Sequence, residues 1–170
     1  MAGGIARSPN PGCPNAQDEG AGLQHNGAML FTRLLQPEIL SALGRAGHGS
    51  CVLIADGNYP VSTQAPPNAA RVFLNLRRGL VKVTDVLEVL RDTIPIEKVA
   101  LMATRDGQPA PIHAEFFKLL PAGIEHQSLP RAEFYAAASQ PTTALVIATG
   151  EEQRFANILI TIGVVKSDQL

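Results

Sequence analysis

The sequence predicts an α/β domain, a three-layer α/β/α sandwich built on a mixed, largely parallel sheet. Three observations predict it. Helical and strand-like patterns alternate over most of the chain. The strand candidates are apolar on both faces, where a half-exposed strand would alternate apolar with polar. The last two strand candidates are joined by a polar connection, Gly150-Glu151-Glu152-Gln153-Arg154, too short for a helical crossover. Two-faced apolar strands call for helices on both sides of the sheet, and the short last connection suggests an antiparallel closing pair.

A chain of 170 residues that is 45% hydrophobic is the size of one domain with one sizeable core. Lys+Arg 14 against Asp+Glu 15 gives no excess charge to draw the chain to nucleic acid or to an anionic membrane, which leaves a small neutral molecule or another copy of itself as the expected partner. No apolar run approaches the ~20 residues of a membrane span, and the N-terminus lacks the apolar core of a secretory signal. The two cysteines, Cys13 and Cys51, are poorly placed to form a structural bridge, and the expected location is cytoplasmic.

Residues 1–28 are rich in Gly, Pro, Asn and Ala without an apolar period, and a disordered N-terminal extension is expected there, dispensable for function. The α/β domain then occupies 29–170. Gln36 to Ala46 reads as a helix, with Pro37 at its first position, Leu35, Ile39, Leu40 and Leu43 on one face, and Gly47 as a left-handed cap. Cys51 to Ala55 is a buried strand. Prolines and small polar residues between Asn58 and Asn68 predict a long irregular loop, followed by a strand from Arg71 to Leu76. Thr84 is expected to cap a helix from Asp85 to about Arg91, Pro95 ends it, and Ile96 to Thr104 forms the next strand. Pro111 to Leu120 returns to helix. A short helix follows Pro130, and Thr143–Thr149 and Asn157–Val164 are the closing strands.

Chemistry-bearing residues are few. His25 lies in the extension, and His113 and His126 have no metal-ligand spacing with each other or with Asp56, so no metal site is expected. No phosphate loop or dinucleotide fingerprint is present, no nucleophile elbow surrounds a serine, and Cys51 reads as a core thiol. What remains is proton transfer and polar binding by His48, Asp56, Arg131, Tyr135 and the segment Arg154-Phe155-Ala156-Asn157. Two readings of His48 and Asp56 stand at this level. They are either active-site groups mounted at the two ends of a rigid strand, or a residue at a helix C-terminus, where the dipole favours imidazolium, and an Asx-turn over Gly57 and Asn58. For Asn157, spacing alone favours local turn satisfaction over ligand contact.

Two separated signatures suggest a family. Leu43-Gly44-Arg45-Ala46-Gly47-His48-Gly49, with Ile54-Ala55-Asp56 and Pro60, and then Thr149-Gly150-Glu151 with Phe155-Ala156-Asn157-Ile158-Leu159, resemble the fucose mutarotase and ribose pyranase family from about Leu30 to Val165. The resemblance implies a cofactor-free, three-layer α/β subunit in a homo-oligomeric ring, exchanging the anomers or ring forms of a monosaccharide such as L-fucose at sites between subunits. It implies His48 as the catalytic proton donor, and Asp56, Arg131, Phe155, Ala156 and Asn157 as substrate-binding residues. Arg131 stands where fucose mutarotases have arginine and ribose pyranases histidine, which favours fucose. Phe155 stands where the family usually has tyrosine, so a hydroxyl is missing. Tyr135 or Tyr59 would supply one, although for each a packing role is the commoner fate of a half-buried aromatic. A binding or transport-associated ring without turnover is the alternative implied by that phenylalanine.

The chemistry suits these residue types. Exchange of anomers needs a proton delivered to the ring oxygen and one removed from the anomeric hydroxyl, and imidazole does either near neutral pH. One geometric objection arises from the strand itself. At ~3.3 Å per residue, His48 and Asp56 are separated by roughly 26 Å of extended chain, beyond one monosaccharide. Either both ends curl toward one cleft or each cleft takes the pair from different subunits.

Overall fold

The structure, a computed structural model, describes residues 30–165. The extension expected over 1–28, with Cys13 and His25, lies outside the described residues. The elements are α1 (Pro37–Arg45), β1 (Cys51–Ala55), α2 (Val61–Gln64), β2 (Ala70–Phe73), α3 (Val83–Arg91), β3 (Ile96–Met102), α4 (His113–Leu119), β4 (Glu125–Leu129), α5 (Arg131–Ala138), β5 (Thr143–Ala148) and β6 (Ile158–Ile162).

Six strands form one sheet in the order β2-β5-β1-β6-β3-β4. The pairs β2–β5, β5–β1 and β3–β4 are parallel, and β6 runs antiparallel to both of its neighbours, β1 and β3. The sheet is therefore mixed and largely parallel, as expected. The closing strands do run in opposite directions, but they are not adjacent, because β1 lies between them.

Successive residues of β1 point to opposite faces, and both faces are dry. Val52 and Ile54 join a core with Ile39 of α1, Leu87 and Leu90 of α3 and Phe116 of α4. Leu53 and Ala55 join a second core with Val61 of α2 and Phe134 and Ala138 of α5. All four β1 residues are fully buried. This two-sided burial is why the strand reads as a continuous apolar run, and at about 25 cal/mol per Å² it supplies the main force holding helices to the sheet.

Several boundaries differ from expectation for identifiable reasons. Gly47 is not the left-handed cap. The chain leaves α1 in extended conformation at Ala46, and the positive φ falls at Gly49 (79°). Leu35, expected on the buried face of α1, is 60% exposed. Thr84 does not cap α3; Lys82 stands at the cap, with its N–H donated to the Asp85 carboxylate at 2.8 Å. The loop after Asp56 contains the single turn α2, started by Pro60. Strand β4 was not expected. It is an edge strand whose residues Glu125 to Ser128 are exposed, so it carries no apolar pattern. No helix among the described residues is long and apolar enough to cross a membrane.

Candidate functional site

The parallel strands end together at one edge of the sheet. Because β6 runs the other way, it begins where they end, and the β6 residue Ile158 pairs with Ile54 of β1. That register sets the segment before β6 against the residues after β1, joining Asn157 to Asp56. The Asn157 side chain accepts a hydrogen bond from the Asp56 backbone N–H at 2.9 Å and donates one to Asp56 Oδ2 at 2.9 Å. Asp56 Oδ1 accepts from the Asn58 N–H at 2.9 Å, so the Asx-turn is present as well. Local turn satisfaction is not the role of Asn157; its partner lies across the sheet.

Asp56 is 4% and Asn157 3% exposed. Burial raises the Asp56 pKa above the usual carboxylate value, opposed by the hydrogen bonds from Asn58 and Asn157. The pair forms one wall of a cleft of about 490 Å³, a size that suits a small ligand. The carboxyl end of β3 contributes Met102 and Arg105, the start of α5 contributes Arg131 and Tyr135, and the β5–β6 connection contributes Arg154 and Phe155.

Phe155 is the non-glycine residue with positive φ (63°) among those described. A bulky side chain rarely adopts this conformation, and such strain persists where surrounding packing enforces it. Here the ring packs against both cores, and the Arg131 guanidinium lies 5.8 Å from its centroid, a cation–π contact that needs no hydroxyl. Beneath this wall is His113, 2% exposed, its ring facing the backbone of Phe155 and Met102 with Nε2 unpaired. Burial pulls its pKa down, with the two backbone contacts opposing. Tyr59 packs edge-on against Tyr135 at 5.1 Å between centroids. Its pKa is pushed up to about 12, chiefly by burial, so the phenol stays protonated at any physiological pH.

His48 is elsewhere. It stands at the tip of the turn before β1, which is stitched to the far end of β6 by the Gly49 N–H donating to Ile162 C=O at 2.9 Å. Its side chain is 59% exposed, past the end of α1, and its Nε2 lies 2.7 Å from Glu97 Oε2 at the start of β3. Asp56 and His48 therefore occupy opposite ends of β1, and neither end curls toward the other.

Of the sequence-derived candidates, Asp56, Arg131, Phe155, Asn157, Tyr59 and Tyr135 converge on the cleft. Ala156 is fully buried behind it, and His48 stands apart. Sequence reading missed Asn58, Met102 and Arg105, which it assigned to a turn, a strand centre and a turn. A signal existed for Asn58 and Arg105, since each stands just after the carboxyl end of a predicted strand, the usual ligand edge of open α/β sheets. Among the described residues no cluster of three His, Cys, Asp or Glu is placed to hold a metal.

A profile described as the RbsD / FucU transport protein family matches residues 29–165. D-ribose pyranase of Chloroflexus aggregans is 31% identical over 138 residues, 81% of this chain and 99% of that one, and D-ribose pyranase of Paracidovorax citrulli is 31% identical over 140 residues, 80% and 98%. Among solved structures, Bacillus subtilis RbsD complexed with D-ribose superimposes with a TM-score of 0.67 at 26% identity, covering 78% of this chain and 96% of that one. FucU from Bifidobacterium longum gives 0.65 at 29%, covering 78% and 97%. The fucose mutarotase of Streptococcus pneumoniae in complex with L-fucose shares the fold, with 0.63 at 24% over 76% and 94%.

Proposed function

The chain belongs to the RbsD / FucU transport protein family, and from that premise we propose that it is a monosaccharide mutarotase whose sites form between copies of the chain in a cytoplasmic homo-oligomeric ring. The observation that carries this reading is the cleft at the carboxyl edge of the sheet, where Asp56, Arg131, Phe155 and Asn157 meet from three separate segments of the chain. The similarity to D-ribose pyranases supports the reaction class.

In this account the sugar lies with hydroxyls against Asp56, Asn157 and Arg131 and an apolar face against Phe155, with Ala156 holding the segment in place. A neighbouring copy supplies His48, whose exposed imidazole is suited to entering a cleft that its own chain cannot reach. The imidazole delivers a proton to the ring oxygen while the anomeric hydroxyl loses one. The bond from the anomeric carbon to the ring oxygen breaks and the carbonyl forms. Rotation of that carbonyl and the reverse transfers close the other anomer, so no net proton or electron is consumed. Proton transfer of this kind contributes about 10²–10⁴-fold.

Exchange spectroscopy by NMR on equilibrated L-fucose, D-ribose and D-galactose tests the proposal. Enhanced anomer exchange that is lost in His48→Ala with sugar affinity retained is the expected result. Absence of exchange for all three sugars and for D-galactose 6-phosphate would overturn it. The second reading, a sugar-binding ring without turnover, is favoured by phenylalanine at position 155, and sugar binding without any rate enhancement would establish it.

A further inference from the structure

A second cavity of about 480 Å³ adjoins the cleft, and Asn58 and Arg154 line both. Its walls add Arg77 and Arg78, from the turn between β2 and α3. Together the two cavities carry five arginines, at positions 77, 78, 105, 131 and 154, against three carboxylates, Asp56, Glu151 and Glu152. None of these arginines forms an ion pair with a carboxylate among the described residues.

The whole chain has a net charge of −1, so this concentration of cations is local. Unpaired guanidinium groups facing one concave surface repel one another and focus a positive potential into it. The first cavity alone has room for a monosaccharide, and a neutral sugar gives the guanidinium groups of the second nothing to neutralise. Guanidinium matches phosphate in charge and in its paired donor geometry.

We propose that the sugar taken by this chain is a phosphorylated monosaccharide, with its anomeric carbon at Asp56 and Asn157 and its phosphate, borne at the remote end, between Arg77, Arg78 and Arg154. This inference rests on the mutarotase reading for the role of the first cavity and goes beyond it in naming the substrate class. It also replaces the neutral partner that the balanced total charge suggested. The substrate then comes from a reaction that phosphorylates a free sugar away from its anomeric carbon, or that releases one already phosphorylated.

The test compares catalysed anomer exchange of D-galactose, D-galactose 6-phosphate and D-galacturonate on the full chain, each corrected for its uncatalysed rate, together with calorimetric binding of galactose 6-phosphate. The expected result is a kcat/KM at least about tenfold higher for the phosphate ester than for galactose. That advantage should shrink as salt is raised. In the Arg77→Ala/Arg78→Ala double variant it should disappear through KM, while exchange of galactose is unchanged. Should that variant fail to fold, competition by inorganic phosphate against galactose 6-phosphate but not against galactose gives the same support. Equal rates for ester and free sugar, or a preference for galacturonate, would overturn the proposal. If no sugar exchanges, the mutarotase reading fails while the anionic site is still decided by calorimetry: ester binding weakened in the double variant supports it, and no binding overturns it.

Discussion

The Asn157 side chain holds Asp56 by two hydrogen bonds of 2.9 Å, one to its backbone N–H and one to its carboxylate, across 101 residues of sequence. Replacing Asn157 by Ala leaves a buried N–H unpaired and removes a donor from a buried carboxylate. We expect a stability loss of about 2–4 kcal/mol. The Asp56 pKa should rise further, since the lost donor opposes the effect of burial. Urea denaturation and a carbon-13 titration of the Asp56 carboxyl measure the two effects.

Phe155→Tyr restores a hydroxyl at a wall of the cleft without altering the ring that packs against both cores and beneath Arg131. Unchanged thermal stability with a raised kcat for anomer exchange is the expected outcome. Phe155→Gly relieves the positive φ but deletes the ring. Loss of packing of ~3 kcal/mol exceeds the ~1 kcal/mol of backbone strain, so net destabilisation is expected in calorimetry.

His113 gives stability a pH dependence of definite sign. Its folded pKa lies below the ordinary value of 6.5, so between the two the unfolded chain binds more protons than the folded one. Stability contributed by the neutral imidazole is thus complete above about pH 6.5, falls as the pH drops below it, and levels off once the folded pKa is passed. Asp56, with its raised pKa, acts in the opposite sense at lower pH: keeping it ionised and buried costs stability above its folded pKa, and the cost vanishes below 3.8. Denaturation midpoints of the wild type and His113→Gln between pH 5 and 8 should converge at the acidic end relative to their separation at pH 8.

Gly150 approaches the Arg77–Leu80 turn so closely that a Cβ would sit 2.0 Å from the Leu80 carbonyl oxygen and 2.4 Å from that of Arg77. Both obstacles are backbone, so Gly150→Ala must displace the turn. A loss of about 1–3 kcal/mol is expected, with faster amide exchange at Gly79, whose N–H donates to Gly150 C=O at 2.7 Å.

Much of the fold was legible in the sequence because burial on two faces writes itself as a continuous apolar run, as in Cys51–Ala55 and Thr143–Ala148. Strand β4 was not legible because Glu125 to Ser128 are exposed and only Leu129 reaches a core, and α2 was hidden among prolines that start a turn of helix as readily as they break one. Local pattern placed Asp56 and Asn157 at strand ends. It could not join them, because the antiparallel insertion of β6 beside β1 is a pairing between distant segments. The length of β1, read from the sequence, did show that His48 and Asp56 cannot share a cleft within one chain unless the strand curls, and the structure shows it does not.

The central claim, that each site takes its imidazole from one copy and its carboxylate from another, is tested most directly by subunit complementation. His48→Ala and Asp56→Asn chains, each inactive alone, are co-expressed so that they assemble together, and anomer exchange is measured by NMR. Mixed assemblies should recover a substantial fraction of wild-type exchange, because some clefts then join an intact His48 to an intact Asp56. Exchange no greater than that of either variant alone, in assemblies shown to contain both chains, would contradict the shared site.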